Sequence, residues 1–201
     1  MSYPRRSITT ALLFTLATTT AQAEQPPHEH GAARLQLAAL EDQLDIELTT
    51  PAYNLIGFEH APTDDAERRA ANTALALLAA PAQLFRLTPA AGCELQRQQV
   101  DAGALAEAEA EHHDASTAHH HKHEHEHEHH HDHAEADGAH RHTDLHASYS
   151  FRCANLRALA HIDIALFERF PRLERIDAQW LTASGQQART LRAGDAILPL
   201  Q

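Results

Sequence analysis

The residues best suited to chemistry are crowded into one stretch, Glu111 to His146. It holds 15 of the 19 histidines in the 201-residue chain: His112, His113, His119, His120, His121, His123, His125, His127, His129, His130, His131, His133, His140, His142 and His146. Asp114, Glu124, Glu126, Glu128, Asp132, Glu135, Asp137 and Asp144 are interleaved with them. Imidazole and carboxylate are the side chains that ligate borderline and hard divalent cations, and imidazole needs no large pKa shift to be a ligand near neutral pH. The stretch therefore reads as a metal-binding tract. Fifteen imidazoles at up to four per ion would hold roughly three or four zinc ions, more where carboxylates and waters complete the shells. The same ligands hold copper more tightly than zinc, and they also accept nickel, so composition alone does not name the metal. Protons compete for the same nitrogens, so affinity should fall with pH.

Between Glu111 and His142 there is no Leu, Ile, Val or Phe, and no aromatic side chain other than His. Nothing there offsets the entropy of ordering the backbone, so residues 107–144 are expected to be a disordered loop without metal. Alternating His and Glu would separate imidazoles from carboxylates in an extended strand, whereas a helical turn would bring i,i+4 histidines together. Either arrangement supplies ligands. A purification tag is disfavoured because the run is internal, mixed with acids, and flanked by two halves of one domain. A solvated, pH-responsive linker is the stronger competitor, since histidine clusters titrate around neutrality.

Four histidines lie elsewhere. His28 and His30 precede the first expected strand, and their i,i+2 spacing could present both rings to one ion. With His146, on the polar face of its strand, they are candidates for an ordered site that exchanges ions with the tract. His60, after an apolar loop, and His161, within a strand, read as structural.

The rest of the chain must position these groups. Arg5-Arg6, a short apolar run and Ala21-Gln-Ala23 read as a signal peptide over residues 1–23. The run is too short to span a bilayer, and no later segment approaches 18 apolar residues, so membrane insertion is not expected. Removing residues 1–23 takes away two of the 16 basic residues and none of the 28 acidic ones, which moves the formal charge from −12 to −14. Such a balance argues against nucleic acid and anionic membrane as partners. Outside the tract roughly 130 residues remain, enough for one ordinary domain over 24–201.

Cys93 and Cys153 stand on either side of the tract. In an oxidising compartment an even pair reads as a disulfide, which would pin the feet of the loop; a thiolate metal site is the rival, without the C-x-x-C spacing such sites favour. Leu35, Leu37 and Ala39, then Leu44, Ile46 and Leu48, alternate with polar residues around Glu41-Asp42, as in a β-hairpin. Residues 54–62 read as a loop, and Thr63 as the cap of a helix that buries Ala71, Leu75 and Leu78 and stops at Pro81. Leu84 and Phe85 read as a helical turn. Strands are expected from Cys93, over Leu145–Cys153, His161–Leu166 and Ile176–Thr182, and over Ala188–Leu191 after a turn at Ser184-Gly185. The fold class is α+β: an antiparallel sheet, one or two packed helices, and the His-rich loop between two strands.

The order of Pro27-His-Glu-His-Gly31, Asn54-Leu-Ile-Gly-Phe-Glu-His-Ala-Pro62, Ala91-Gly-Cys93, the tract, His146-Ala-Ser-Tyr149, Phe151-Arg-Cys-Ala-Asn155 and Leu166-Phe-Glu-Arg-Phe-Pro171 resembles the ZrgA-type periplasmic zinc-binding proteins of Gram-negative bacteria. The resemblance covers essentially the whole chain after residue 23. It implies a periplasmic protein that binds zinc through its central tract and assists a zinc ABC importer through the importer's solute-binding protein. It carries over no catalytic residues. An enzyme is not expected: there is no H-E-x-x-H motif, nucleophile elbow or Gly-rich phosphate loop. A buffer or sink for copper, nickel and zinc is the alternative use of the same ligands. The importer's own two-lobed binding protein would need about twice the folded length available.

Overall fold

The computed structural model describes residues 29–103 and 144–200. The expected signal peptide, His28 and the His-rich tract up to residue 143 lie outside the described residues. The hairpin comes first: β1 (Ala32–Leu40) and β2 (Gln43–Pro51) pair antiparallel, with Leu37 opposite Ile46. Glu41, in the turn, has a φ of 57°. Strands β4 (Cys93–Asp101), β5 (Asp144–Cys153), β7 (Arg175–Thr182) and β8 (Gly185–Leu191) complete a six-stranded sheet in the order β4-β5-β2-β1-β7-β8. Every pair is antiparallel except β1–β7, which is parallel, so the expected antiparallel sheet is mixed at its centre.

Alternation decides the two faces, because successive strand residues point to opposite sides. Leu35, Leu37, Leu44, Ile46, Leu48, Ala147, Tyr149, Phe151, Ile176 and Trp180 are buried on one face. On the other, polar side chains bond across strands, as where the Ser150 hydroxyl donates to Asp45 at 2.7 Å and the Thr190 hydroxyl to Asp177 at 2.8 Å. The buried face is covered by α2 (Asp65–Leu78) and by a second, three-stranded antiparallel sheet, β3 (Phe85–Leu87), β6 (His161–Ile164) and β9 (Ile197–Pro199), in the order β3-β6-β9. Leu78 of α2 and Phe85, Ile162, Ile164 and Leu198 of the small sheet join the same core as the large sheet. Tyr149 ties the layers together: its hydroxyl donates to the Leu78 carbonyl at 2.9 Å, and its ring meets that of Phe85 edge-on at 5.6 Å.

Four local expectations are corrected. Residues 52–56 form a short helix, α1 (Ala52–Ile56), where the sequence suggested a loop from residue 54, because Ala52, Asn54, Leu55 and Ile56 are all buried. The cap of α2 is Asp64, whose carboxylate accepts from the N–H groups of Ala66 and Glu67 at 2.8 Å each. Thr63 sits one residue earlier and donates its N–H and hydroxyl back to Glu67. This is the reciprocal exchange of a capping box, displaced by one residue. Leu84 and Phe85 are not a helical turn: a 3-10 turn ends at Gln83, and Phe85 starts β3 opposite Ile164. A third helical segment, α3 (Leu166–Arg169), follows β6.

The fourth correction concerns the disulfide. Cys93 and Cys153 are bridged, and they face each other directly across β4 and β5. The strands are antiparallel, so the other end of this ladder, where Asp101 faces His146, is the end at which residues 104–143 connect them. The bridge closes the open end of the hairpin, roughly 27 Å along the strand from the feet of the tract, and does not pin those feet.

Candidate metal centre

The fourteen tract histidines from His112 to His142 lie outside the described residues, as does His28. The structure shows what stands where the tract joins the fold. On the polar face, Asp101, His146 and Thr49 occupy one row across β4, β5 and β2. His146 is exposed, and its Nδ1 lies 3.2 Å from the Thr49 hydroxyl, which engages one ring nitrogen and leaves Nε2 as the second. Asp101 accepts the N–H of Gly103 at 3.1 Å. Asp144, where the tract was expected to end, is already the first residue of β5 and shares the face of His146.

The register brings a second group to the same end of the sheet. Arg34 near the start of β1 faces Thr49, which faces His146, and the start of β7 lies beside the start of β1. The segment before β1, the helix α1 after β2, and the feet of the tract therefore share one end. His30 is there. Its Nε2 lies 3.1 Å from Glu59 Oε1, and its ring stacks on Tyr53 with centroids 4.1 Å apart and planes 15° from parallel.

Local chemistry explains this placement. Asn54 is fully buried and spends its amide on three partners: it accepts the Gly31 N–H at 2.7 Å and donates to the Ala32 carbonyl at 2.7 Å and the Thr50 hydroxyl at 2.9 Å. A buried amide must be satisfied in this way, so it clamps α1 onto the start of β1. Tyr53, its neighbour, is then set beneath the His30 ring. Gly57 ends α1 with a φ of 94°, a left-handed conformation that glycine adopts without strain, where the chain turns toward Glu59. Glu29, the acid adjacent to His30, is engaged elsewhere. Both its oxygens accept from Arg175, at 2.5 and 2.6 Å, and that hydrogen-bonded pair holds its carboxyl below the ordinary glutamate range.

His60 was read as structural, and its surroundings are local: Nδ1 is 3.0 Å from the Ala61 carbonyl, the ring stacks on Phe58 at 5.0 Å, and Nε2 is 3.8 Å from Glu67 Oε1. Glu67 is held below the ordinary glutamate range chiefly by the Thr63 N–H, then by the Thr63 hydroxyl, with His60 contributing less. His161, also read as structural, is exposed on β6. Among the described residues, no three His, Cys, Asp or Glu side chains converge on a position that could hold a metal ion. The thiolate rival is overturned, since both cysteines are in the bridge and no free cysteine remains. Asn54 and Glu59 stood in the quoted motif of residues 54–62 but, like Tyr53, were given no role from the sequence; the available signal was a lone Asn among apolar residues three positions after the strand-ending Pro51.

No helix among the described residues is long and apolar enough to cross a membrane. A comparison with protein-family models matches residues 27–200 to a family described as a zinc uptake protein family, ZrgA. No curated protein matches the chain.

Proposed function

The chain belongs to the ZrgA family of zinc uptake proteins, and we propose that it captures zinc in the periplasm through the His/Asp/Glu tract and hands it to the solute-binding protein of a zinc ABC importer. The observation that carries this reading is the concentration of 15 histidines between Glu111 and His146, in a segment connecting two neighbouring strands. A hairpin is an economical holder for such a segment. Strands β4 and β5 are held together by their own ladder and by the Cys93–Cys153 bridge.

The tract concentrates zinc in several sites of mixed imidazole and carboxylate ligation, each with positions open to incoming ligands. Zinc then moves by ligand substitution toward whichever partner binds it more tightly, without a step that must open an enclosed cage. His112, His113, His119, His120, His121, His123, His125, His127, His129, His130, His131, His133, His140 and His142 are the ligands of this pool, and His146 stands at its edge on the folded part.

Zinc titration by calorimetry, on the chain after residue 23 and on a version lacking residues 112–142, tests the reading. Loss of most bound zinc on deletion is expected, together with capture of the importer's solute-binding protein by the intact chain. Undiminished zinc binding after deletion would sink the tract as the capture element. Retention of copper or nickel in preference to zinc, with no binding to the import protein, would replace delivery by a metal sink.

A further inference from the structure

We propose that the outer edge of β4 pairs with β4 of a second copy of this chain, antiparallel about Gln99, joining two six-stranded sheets into one. Among the described residues, β4 is the terminal strand of its sheet and pairs on one side only, with β5. None of its nine residues is buried. A bulge falls between Leu95 and Arg97, after which residues 97–101 run in regular register with β5. A bulge blunts an edge against pairing, and this one guards only the Cys93 end. At the opposite edge of the sheet, Arg189 of β8 folds onto Asp195 and the Ile197 carbonyl, so that strand is flanked by its own chain.

The backbone limits the registers that are open. The Cys153 N–H donates to the Asp42 carbonyl at 2.7 Å, away from β4. In an antiparallel ladder the N–H and C=O of one residue turn to the same neighbour, and successive residues turn to opposite ones. Ser150, Ser148 and His146 therefore turn theirs toward β4, where they face Arg97, Gln99 and Asp101. Gln98 and Val100, between those three, present their N–H and C=O groups outward. A second antiparallel β4 must set outward residues against outward residues. With Gln98 opposite Val100 of the partner subunit, and the reverse, four hydrogen bonds close around a dyad at Gln99.

Charge selects this register. It sets Arg97 opposite Asp101 of the partner subunit, twice, with both side chains on the solvent face of the sheet. Among the described residues Arg97 has no ion pair or hydrogen bond, and Asp101 is engaged only by the Gly103 N–H. Sliding the strands by two residues either way keeps the outward groups matched but puts Arg97 against Gln99 or Gly103 and loses both ion pairs. The contact is small, and it opposes the repulsion between two chains of formal charge −14, so association is weak and concentration-dependent. Across the dyad the two Asp101 Cα atoms stand roughly 14 Å apart. The connections that follow residue 103 in both copies thus begin from one stretch of joined sheet, and the two chains pool their ligands.

Sedimentation equilibrium on the chain after residue 23, with EDTA and at about 0.15 M salt, tests the contact. A monomer–dimer equilibrium is expected. Arg97→Glu or Asp101→Arg should weaken it about tenfold, and the two combined should return it to within about threefold of the native chain, because opposite charges then face each other again. A second readout does not depend on the charge variants. Gln99 faces itself in a pair without hydrogen bonds, at a Cα separation of about 4.5 Å that a disulfide can span. Gln99→Cys should therefore oxidise to a symmetric disulfide between copies, and Gln98→Cys should not. A native chain that stays monomeric to about 1 mM, single variants that dimerise like the native chain, or cross-linking through Gln98→Cys in place of Gln99→Cys would overturn the pairing. Dimers that form only with zinc and survive Arg97→Glu are bridged by metal, and they overturn it too.

Discussion

Cys93 stands directly opposite Cys153 at the end of the β4–β5 ladder farthest from the segment that joins the two strands. The bridge therefore restrains the folded part and leaves the tract's own termini to the ladder at Asp101 and His146. Replacing both cysteines by alanine should destabilise the fold by about 4 kcal/mol on the chain-entropy model for a closed loop of this length. Zinc stoichiometry should be unchanged below the lowered transition. Urea unfolding and zinc calorimetry on the same variant check both halves, and a loss of zinc sites in a folded variant would contradict the separation of bridge and tract.

Asn54 joins α1 to the start of β1 through three hydrogen bonds in a fully buried position. Asn54→Ala strands the Gly31 N–H and weakens the ties to Ala32 and Thr50. A loss of about 2–4 kcal/mol is expected, from the desolvation of groups left without partners. Denaturant unfolding measures it, and a change under about 0.5 kcal/mol would mean that the clamp is not what holds α1.

The Tyr149 hydroxyl makes a single interlayer hydrogen bond, to the carbonyl of Leu78. Burial pushes its phenol well above the ordinary tyrosine value, so it remains a donor through the alkaline range. Tyr149→Phe keeps the ring against Phe85 and removes only the bond. The expected cost is about 1–2 kcal/mol, with no change in zinc binding. Equilibrium unfolding in urea at neutral pH would show it.

Glu67 gives the fold an acid-sensitive element. Its carboxyl is held below the ordinary range by the Thr63 N–H and hydroxyl, so the folded state favours the ionised form. Stability from this source is fully present above the unfolded glutamate pKa and is lost as pH falls through the lower folded value. Melting temperatures of the native chain and Glu67→Gln should differ most near neutrality and converge as pH drops below the ordinary glutamate range. A gap that is constant with pH would show that the effect is not carried by ionisation.

Much of the fold is written in local patterns. The alternation of Leu35, Leu37, Leu44, Ile46 and Leu48, and of Leu145, Ala147, Tyr149 and Phe151, identifies strands and their buried faces because a strand repeats every two residues. Asp64, Glu67 and the Ala/Leu stripe mark α2 to within a residue of its cap. Short segments were harder to read. Residues 52–56 and 85–87 have too few residues for a period, and burial against distant strands, rather than propensity, decides between helix and strand there.

By itself the sequence determined the concentration of imidazole and carboxylate side chains in the tract and the strands that flank it, because these follow from residue type, count and alternation; that Cys93 and Cys153 are bridged was decided by the structure. Only the tertiary structure decided that the bridge and the tract lie at opposite ends of one ladder. It also decided that His30 meets Glu59 across 29 residues of chain, and that both share the end of the sheet with His146. The physical reason is that strand order and direction, including the parallel contact of β1 with β7, are set by non-local pairing that buries one common face. No local pattern records which chain ends that pairing will bring together.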